Sequence, residues 1–218
     1  MLKLSIFKKQ QAGLVTLVVL TVVLLAGIYY LSAQKSSQLN PSRQNQTQTQ
    51  SQSVSLPTKP SENKYEGEDF SVVIPEGWDK SQQSLPGTLL TLYRLRENHT
   101  DDPNAQKINF KSYIAISFDR TQGKTMSQII DMVKQSLSQL SPNVKINTLP
   151  QETVGNQTAD LIEINLAQQD VNFKVLIAVI IKGDKYFTLS ANTTEKKWTS
   201  YKEDFYNVLK NIKLKVRK

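Results

Sequence analysis

An uncharged apolar run near the N-terminus is the strongest constraint on how this chain folds. Residues 12–31 read AGLVTLVVLTVVLLAGIYYL, without one charged side chain. At about 1.5 Å of rise per residue, a helix of this length matches a hydrocarbon core of roughly 30 Å. Lysines stand before the run at three of the first nine positions, which predicts a cytoplasmic N-terminus. We therefore expect a cytoplasmic stub at 1–11, a single transmembrane helix at 12–33 and an extracytoplasmic remainder, in a cell membrane.

Two other classes of protein begin with a similar segment. A cleaved secretory signal has small residues one and three positions before the cut. For a cut after Ala33, the residue three positions before the cut is Leu31, which is not small. A type IV pilin-like precursor is suggested by the sequence KKQQAGL at 8–14, although residues 14–18, LVTLV, lack the glutamate that such precursors carry there. An uncleaved anchor is therefore the main prediction, and a pilin-like surface subunit stays an alternative.

Residues 34–64 predict a disordered polar linker between the membrane and one folded domain. The segment is rich in Gln, Ser, Thr and Asn and contains three prolines, so little apolar surface is available to offset the entropy of ordering. As a flexible coil, about thirty residues span roughly 30 Å. The remaining residues, 65–218, have the usual size of one domain with its own core.

Charge and cysteine content exclude several function classes. The formal net charge is +8, but residues 65–218 carry twenty basic side chains against eighteen acidic ones. A nearly neutral domain lacks the concentrated basic face of a nucleic-acid-binding protein, so no nucleic-acid partner is expected. The chain has no cysteine. Disulfides, thiolate catalysis, thiolate metal sites and lipid attachment to a cysteine are therefore excluded.

Apolar alternation with a period of two predicts strands through most of the domain. Phe70, Val72 and Ile74 mark the first strand, and alternate residues from Ile108 to Phe118 mark the third. The stretch before the third strand, at 96–106, is interpreted as a polar loop. A hairpin turn is predicted at the sequence KGDK between the last two strands. The predicted strands cover residues 70–74, 88–95, 107–120, 144–148, 158–166, 172–181 and 186–192.

Two segments have helical periodicity instead. Thr125-Met-Ser-Gln128 is a capping-box pattern, and the apolar residues after it fall on one helical face until Ser141-Pro142. A second helix is predicted at about 195–211, with an acid at its start and lysines at its end, as the helix dipole favours. The elements together indicate an α+β fold, an antiparallel β-sheet flanked by helices. The apolar stripes are Met126, Ile129, Ile130, Val133, Leu137 and Leu140 in the first helix, and Trp198, Tyr201, Phe205, Val208 and Ile212 in the second.

Motifs at the two ends of the domain carry a family resemblance. Residues 70–78 read FSVVIPEGW, and residues 186–191 read YFTLSA, followed by a helix with Trp198, Tyr201 and Phe205. In these motifs the chain resembles the PsbP-like domain family over about residues 65–216. The resemblance implies an α/β/α sandwich around an antiparallel sheet. It also implies a family whose photosynthetic members assist photosystem II and whose bacterial relatives are often exported and membrane-attached. It brings no enzymatic residue, and the metal and docking positions of the photosynthetic members have no match here.

The best candidate for a metal site surrounds the single histidine, His99. Glu97, Asp101 and Asp102 would supply the oxygen ligands that calcium or magnesium prefers. The stretch lacks the ligand alternation and the glycine of a calcium loop. A solvated acidic loop is therefore the favoured interpretation, and no metal is expected.

Other motifs have little support as sites. A Ser-His-Asp triad would have to use the single histidine, and no GxSxG accompanies it. Gly123-Lys124-Thr125 is similar to the end of a P-loop, but position 118 is Phe where a glycine is required. The aromatic residues are interpreted as core rather than as the lining of a ligand pocket; they are Trp78, Trp198, Tyr201 and Phe205.

The sequence thus predicts no catalytic, cofactor-binding or metal-binding residue. We expect a noncatalytic, membrane-tethered extracytoplasmic module that binds an envelope protein or another envelope component. A small-ligand or metal-binding envelope sensor is the alternative, and the residue inventory argues against a hydrolase.

Overall fold

The computed structural model describes residues 63–82, 85, 87–140, 143–155 and 157–215. The predicted stub, the predicted transmembrane helix at 12–33 and nearly all of the predicted linker lie outside these residues and stay predictions. Among the described residues, no helix is long and apolar enough to cross a membrane.

The strands form two antiparallel sheets, one of three strands and one of seven. The small sheet contains β1 Lys64–Glu66, β2 Phe70–Val73 and β10 Lys213–Leu214, with β2 in the centre. The large sheet contains β3 Asp79–Lys80, β4 Leu90–Tyr93, β5 Tyr113–Arg120, β6 Lys145–Val154, β7 Gln157–Gln168, β8 Val171–Lys182 and β9 Lys185–Thr194. Its spatial order is β3-β4-β5-β9-β8-β7-β6, so only the neighbours β5 and β9 are far apart in sequence.

Helices cover both faces of the large sheet. They are α1 Pro103–Lys107, α2 Met126–Leu140 and α3 Trp198–Asn211, the last preceded by a 3-10 turn at Glu195–Lys197. Because successive side chains of a strand point to opposite faces, β8 serves two cores. Leu176, Ala178 and Ile180 pack with α3 and the small sheet, whereas Val175, Ile177 and Val179 pack under α2. The predicted α+β fold with an antiparallel sheet and flanking helices is therefore confirmed for the described residues.

The predicted capping box begins α2. The Thr125 amide donates to Gln128 Oε1 at 2.9 Å, and the Gln128 amide donates to Thr125 Oγ1 at 3.4 Å. This exchange satisfies backbone donors that a helix start leaves unpaired. Ile129, Val133 and Leu137 are buried against the sheet, as their spacing predicts.

The prediction of a strand from residue 107 was wrong for its first six residues. Asp102 caps a short helix, α1, by accepting from the Ala105 amide at 3.2 Å, and Pro103 occupies the first helical turn. Proline suits that position because the first turn lacks partners for its amides. Phe110 then packs with Tyr113 on the face opposite to Ile114. The apparent alternation at residues 108–112 is therefore not part of β5, which begins at Tyr113.

Strand β6 extends well beyond its predicted end at residue 148. Its pairing with β7 shifts register between Leu149 and Glu152, around Pro150. Proline has no amide hydrogen to donate, and a bulge on an edge strand accommodates it.

Candidate functional site

The most polar part of the interior lies at the end of the large sheet where β4 stops and β5 begins. A turn at residues 94–97 follows β4 and is closed by the Glu97 amide, which donates to the Arg94 carbonyl at 3.0 Å. Glu97 is only 6% exposed, and its carboxylate points inward. It accepts from the Ser112 amide at 2.5 Å and from the Ser112 hydroxyl at 2.8 Å. A loop residue is thus fixed to the strand that follows the loop.

The register of β5 and β9 brings a second hydroxyl to Ser112. Tyr113 is opposite Asn192, so the flanking residues Ser112 and Thr193 lie on the same face of the sheet. Their hydroxyl oxygens are 2.7 Å apart, and both side chains are fully buried. The Ser112 hydroxyl donates to Glu97, so it accepts from Thr193. A polar chain therefore runs from the loop across two strands.

His99 lies against the same carboxylate. Its Nε2 is 2.9 Å from the Phe110 carbonyl oxygen and 3.4 Å from Glu97 Oε2. Both neighbours are acceptors, so Nε2 must carry a hydrogen. Among the residues that the structure describes, none pairs with the buried Nδ1. We call Glu97, His99, Ser112, Thr193 and Tyr201 the Glu97 cluster, and Tyr201 is included because the Glu97 carboxylate is near enough to raise the pKa of its hydroxyl.

The cluster favours the ionised form of its carboxyl group. Burial raises the pKa of Glu97, but hydrogen bonds from His99 and from the amide and hydroxyl of Ser112 outweigh burial and leave that pKa below its ordinary value. Burial and the neighbouring carboxylate raise the pKa of Tyr201 to about 12, although Arg94 opposes the rise. The cluster therefore contains a carboxylate and a neutral phenol at physiological pH.

The arrangement of these groups does not suit nucleophilic catalysis. A serine nucleophile needs a hydrogen bond to a general base and an approach for its substrate. The Ser112 hydroxyl bonds to a carboxylate and to Thr193 rather than to the imidazole, and its side chain is fully buried. Apart from His99 Nδ1, the groups satisfy one another inside the protein, which is the geometry of a structural network.

The three carboxylates of the predicted cation site do not converge. Glu97 is turned inward, Asp102 caps α1, and Asp101 pairs with Lys197 at 3.1 Å. Within the described ranges, no three His, Asp or Glu side chains are grouped as metal ligands. The interpretation of this stretch as a solvated acidic loop was wrong for Glu97, His99 and Asp102, which are buried.

The aromatic residues predicted as core lie together under α3. Trp78 contacts Phe205 and Tyr201 edge-on, with ring centroids 5.7 Å apart in each pair. The Trp78 indole donates to Asp204 Oδ2 at 2.7 Å, which satisfies its buried N–H. Trp78 and Phe205 are almost fully buried. These residues pack as predicted.

The comparison with protein-family models shows to which family the chain belongs. A family model described as PsbP matches residues 61–214. This chain belongs to the PsbP family. The resemblance inferred from the motifs at 70–78 and 186–191 is therefore confirmed. The comparison with curated protein sequences finds no match.

Solved structures with the same fold are distant in sequence. The chain is similar to cyanobacterial PsbP, CyanoP, from Synechocystis sp. PCC 6803, with 15% identity and a TM-score of 0.50; the match covers 70% of this chain and 91% of that one. It is also similar to LpqN of Mycobacterium tuberculosis, which is involved in cell envelope biogenesis, with 11% identity and a TM-score of 0.52; the match covers 67% of this chain and 83% of that one. At these identities the similarity shows the PsbP fold alone.

Proposed function

We propose that this PsbP-family protein is a noncatalytic accessory module, tethered to a cell membrane through residues 12–33, whose extracytoplasmic domain binds a protein of the envelope. The apolar run and the lysines before it support the tether and its orientation. The PsbP fold supports the accessory role.

One observation carries the noncatalytic part of the proposal. The carboxylate, imidazole and hydroxyl that could serve as catalytic groups are bonded to one another in the interior. Glu97 and His99 are 6% and 3% exposed, and Ser112 is fully buried, so a substrate has no approach to them. Reactive groups of enzymes instead face a cleft.

The Ser112→Ala variant tests this part directly. The tagged full chain and its Ser112→Ala variant are each cross-linked in intact cells. If the protein is an accessory module, both yield the same cross-linked complex. If Ser112 is a nucleophile, the variant loses turnover of an ester, peptide or phosphoester substrate. A measurable turnover that disappears in Ser112→Ala would overturn the noncatalytic assignment.

The tether is tested by fractionation of the expressing cells. We expect the full chain in the membrane fraction after carbonate washing, with its C-terminal domain cleaved by protease added outside spheroplasts. Replacing Val19 and Leu20 by arginine should release the chain from the membrane, because each arginine at a helix centre costs about 2.5–3.5 kcal/mol of insertion energy. Recovery of the unaltered chain in the soluble fraction would contradict the tether.

A ligand-sensing role has weaker support. Among the described residues, Asn192 Oδ1 and Thr194 Oγ1 are buried without a partner, as His99 Nδ1 is, and such atoms are found in some ligand sites. Asn192 is 3% exposed and Thr194 is fully buried. At these values little room is left beside either side chain for a molecule the size of water. A metal or small-molecule titration that raised the melting temperature of the full chain by several degrees would favour this alternative.

A further inference from the structure

One apolar side chain projects from the end of the domain where the Glu97 cluster lies. Leu95 is 48% exposed and is the one exposed large hydrophobic side chain among the described residues. It stands at the tip of the 94–97 turn, between Arg94, which is half-buried, and Arg96, which is exposed. An isolated exposed leucine needs no explanation. A leucine held between two arginines on a fixed turn is a more specific arrangement.

The turn is fixed from both sides. On the inside, the Glu97 carboxylate is bound to Ser112 and His99. On the outside, Arg94 Nη1 donates to the Glu76 carbonyl at 2.7 Å, and the Arg94 guanidinium lies 5.6 Å from the centre of the Tyr201 ring. Leu95 is therefore presented on a rigid support and is not free to fold back onto the surface.

Basic side chains flank the turn. The Lys111 ammonium donates to the Glu97 carbonyl, and Lys196 and Lys197 both contact Asp101 in the loop that follows the turn. Six basic side chains at this end are exposed or half-exposed, and five acids are exposed, of which Asp101 is paired with Lys197. The bases are Arg94, Arg96, Lys107, Lys111, Lys196 and Lys197, and the acids are Glu76, Asp79, Asp101, Asp170 and Glu195.

We propose that the 94–97 turn docks the domain on an anionic phospholipid surface, with Leu95 entering the headgroup boundary and the surrounding cations meeting lipid phosphates. Apolar side chains flanked by Lys and Arg favour this boundary, because the cations stay among the headgroups while the apolar group is buried. A single leucine offers too little buried area for a stable protein interface, which usually needs about 800 Å² on each partner.

The place where the chain enters the domain agrees with this orientation. The Asn63 carbonyl accepts from the Ile74 amide at 2.7 Å, and two residues further on Glu76 accepts from Arg94. The N-terminal side of the domain and the 94–97 turn therefore lie at the same end. This docking rests on the proposed tether, which keeps the domain close to the membrane. A short tether holds a domain at an effective concentration on the order of millimolar near the surface. A millimolar affinity for the lipid is therefore enough to orient the domain.

The test uses a label beside the turn and a label at the opposite end. Because the chain has no cysteine, Asn98→Cys and Asp184→Cys each give a unique attachment point for a fluorophore, and both positions are exposed. The labelled full chain is reconstituted in nanodiscs of phosphatidylcholine alone or with phosphatidylglycerol, each containing a lipid-borne quencher. We expect quenching at position 98 only with phosphatidylglycerol, and none at position 184.

Substitutions separate the contributions of charge and apolar contact. Arg96→Glu should weaken docking about 25-fold, because each unit charge near an anionic surface changes binding about five-fold, and Leu95→Ser should also reduce quenching at position 98. Arg120→Glu, a matched reversal at an exposed arginine on the opposite end of β5, should leave quenching unchanged. Equal quenching in neutral nanodiscs, or equal quenching at both labels, would overturn the proposal.

Failure of the tether is seen separately. A chain that is not retained by neutral nanodiscs contradicts the tether. A retained chain whose position 98 stays unquenched with phosphatidylglycerol contradicts the docking alone. If position 98 is shielded only after an envelope protein extract is added, the turn is a protein-binding surface and the lipid proposal is wrong.

Discussion

Removing the Glu97 carboxylate should destabilise the domain more than any other change to a charged residue of the 94–97 turn. Glu97→Ala removes the acceptor of the Ser112 amide and of the Ser112 hydroxyl, and one of the two acceptors of the His99 Nε2–H, all in the interior. A buried polar group that loses its partner costs about 1–3 kcal/mol. The Ser112 hydroxyl can turn towards Thr193, and the Phe110 carbonyl still accepts from His99. The Ser112 amide has no such substitute.

The Ser112 amide is the one donor that loses its acceptor without a substitute, so the expected loss is about 1–3 kcal/mol. A loss of this size is a large fraction of the stability of many domains, typically about 5–15 kcal/mol. Glu97→Gln should cost less, because its amide oxygen can still accept from the Ser112 amide while its NH2 group donates to the hydroxyl.

Urea unfolding followed by the fluorescence of Trp78 and Trp198 measures the free energy of unfolding. Glu203→Ala on the exposed face of α3 is the control, with an expected change within about 0.5 kcal/mol. A loss below about 1 kcal/mol for Glu97→Ala, at unchanged m-value, would refute the view that the Glu97 cluster holds the loop.

The Glu97 carboxylate should also affect how the stability of the domain falls at acid pH. The pKa of Glu97 in the folded protein lies below its ordinary value of 4.5, so folding favours the ionised form. Its stabilisation is therefore complete above pH 4.5 and is lost as the pH falls through the folded-state pKa. Glu97→Gln should be less sensitive to pH in this window than the unaltered protein. Urea midpoints at pH 3, 4, 5 and 7 measure the difference, and parallel curves would contradict the assignment.

Three further changes test individual contacts by the same unfolding assay. Gly77→Ala should destabilise by about 1–3 kcal/mol, because Gly77 has φ +76° and a Cβ there would lie 1.8 Å from Arg94 Nη1; an unchanged midpoint would contradict the strain. Thr125→Ala should cost about 1 kcal/mol through loss of the α2 cap, whereas Thr125→Ser should retain most of it. Trp78→Phe should lower the free energy of unfolding by about 1–3 kcal/mol. If Trp78→Phe costs as much in a protein that already carries Asp204→Ala, the hydrogen bond between Trp78 and Asp204 is not the cause of the loss.

Local patterns were sufficient for α2 and for the long hairpins. The Thr125–Gln128 exchange spans three residues, so one helical turn contains the whole cap. The alternation in β8 and β9 likewise reports burial on each face directly, because every second side chain meets a different core. Elements stabilised by neighbours in sequence could therefore be predicted from the sequence.

The interior position of Glu97 could not be predicted in this way. Its partner Ser112 is fifteen residues away, and Ser112 reaches Thr193 across a further eighty-one. Polar residues between two strands are typical of a solvated loop. Only the register of β5 with β9, which places Ser112 beside Thr193 in the interior, shows that Glu97 is buried. A signal was present, since Ser112 and Thr193 continue the inward alternation of Ile114 and Ala191 with hydroxyls at core positions. Two buried hydroxyls facing each other indicate a third polar group between them and the solvent.

The same turn connects the interior of the domain to its proposed membrane surface, and the two roles can be separated. Glu97 contacts no lipid in the proposed orientation, yet it fixes the backbone that carries Leu95 and Arg96. Glu97→Ala should therefore reduce both the free energy of unfolding and the quenching at position 98. Arg96→Glu should reduce quenching and leave the urea midpoint within error, because its side chain is exposed. If Glu97→Ala lowered stability but left quenching intact, the cluster would support the fold without positioning the turn, and the lipid contact would depend on charge alone.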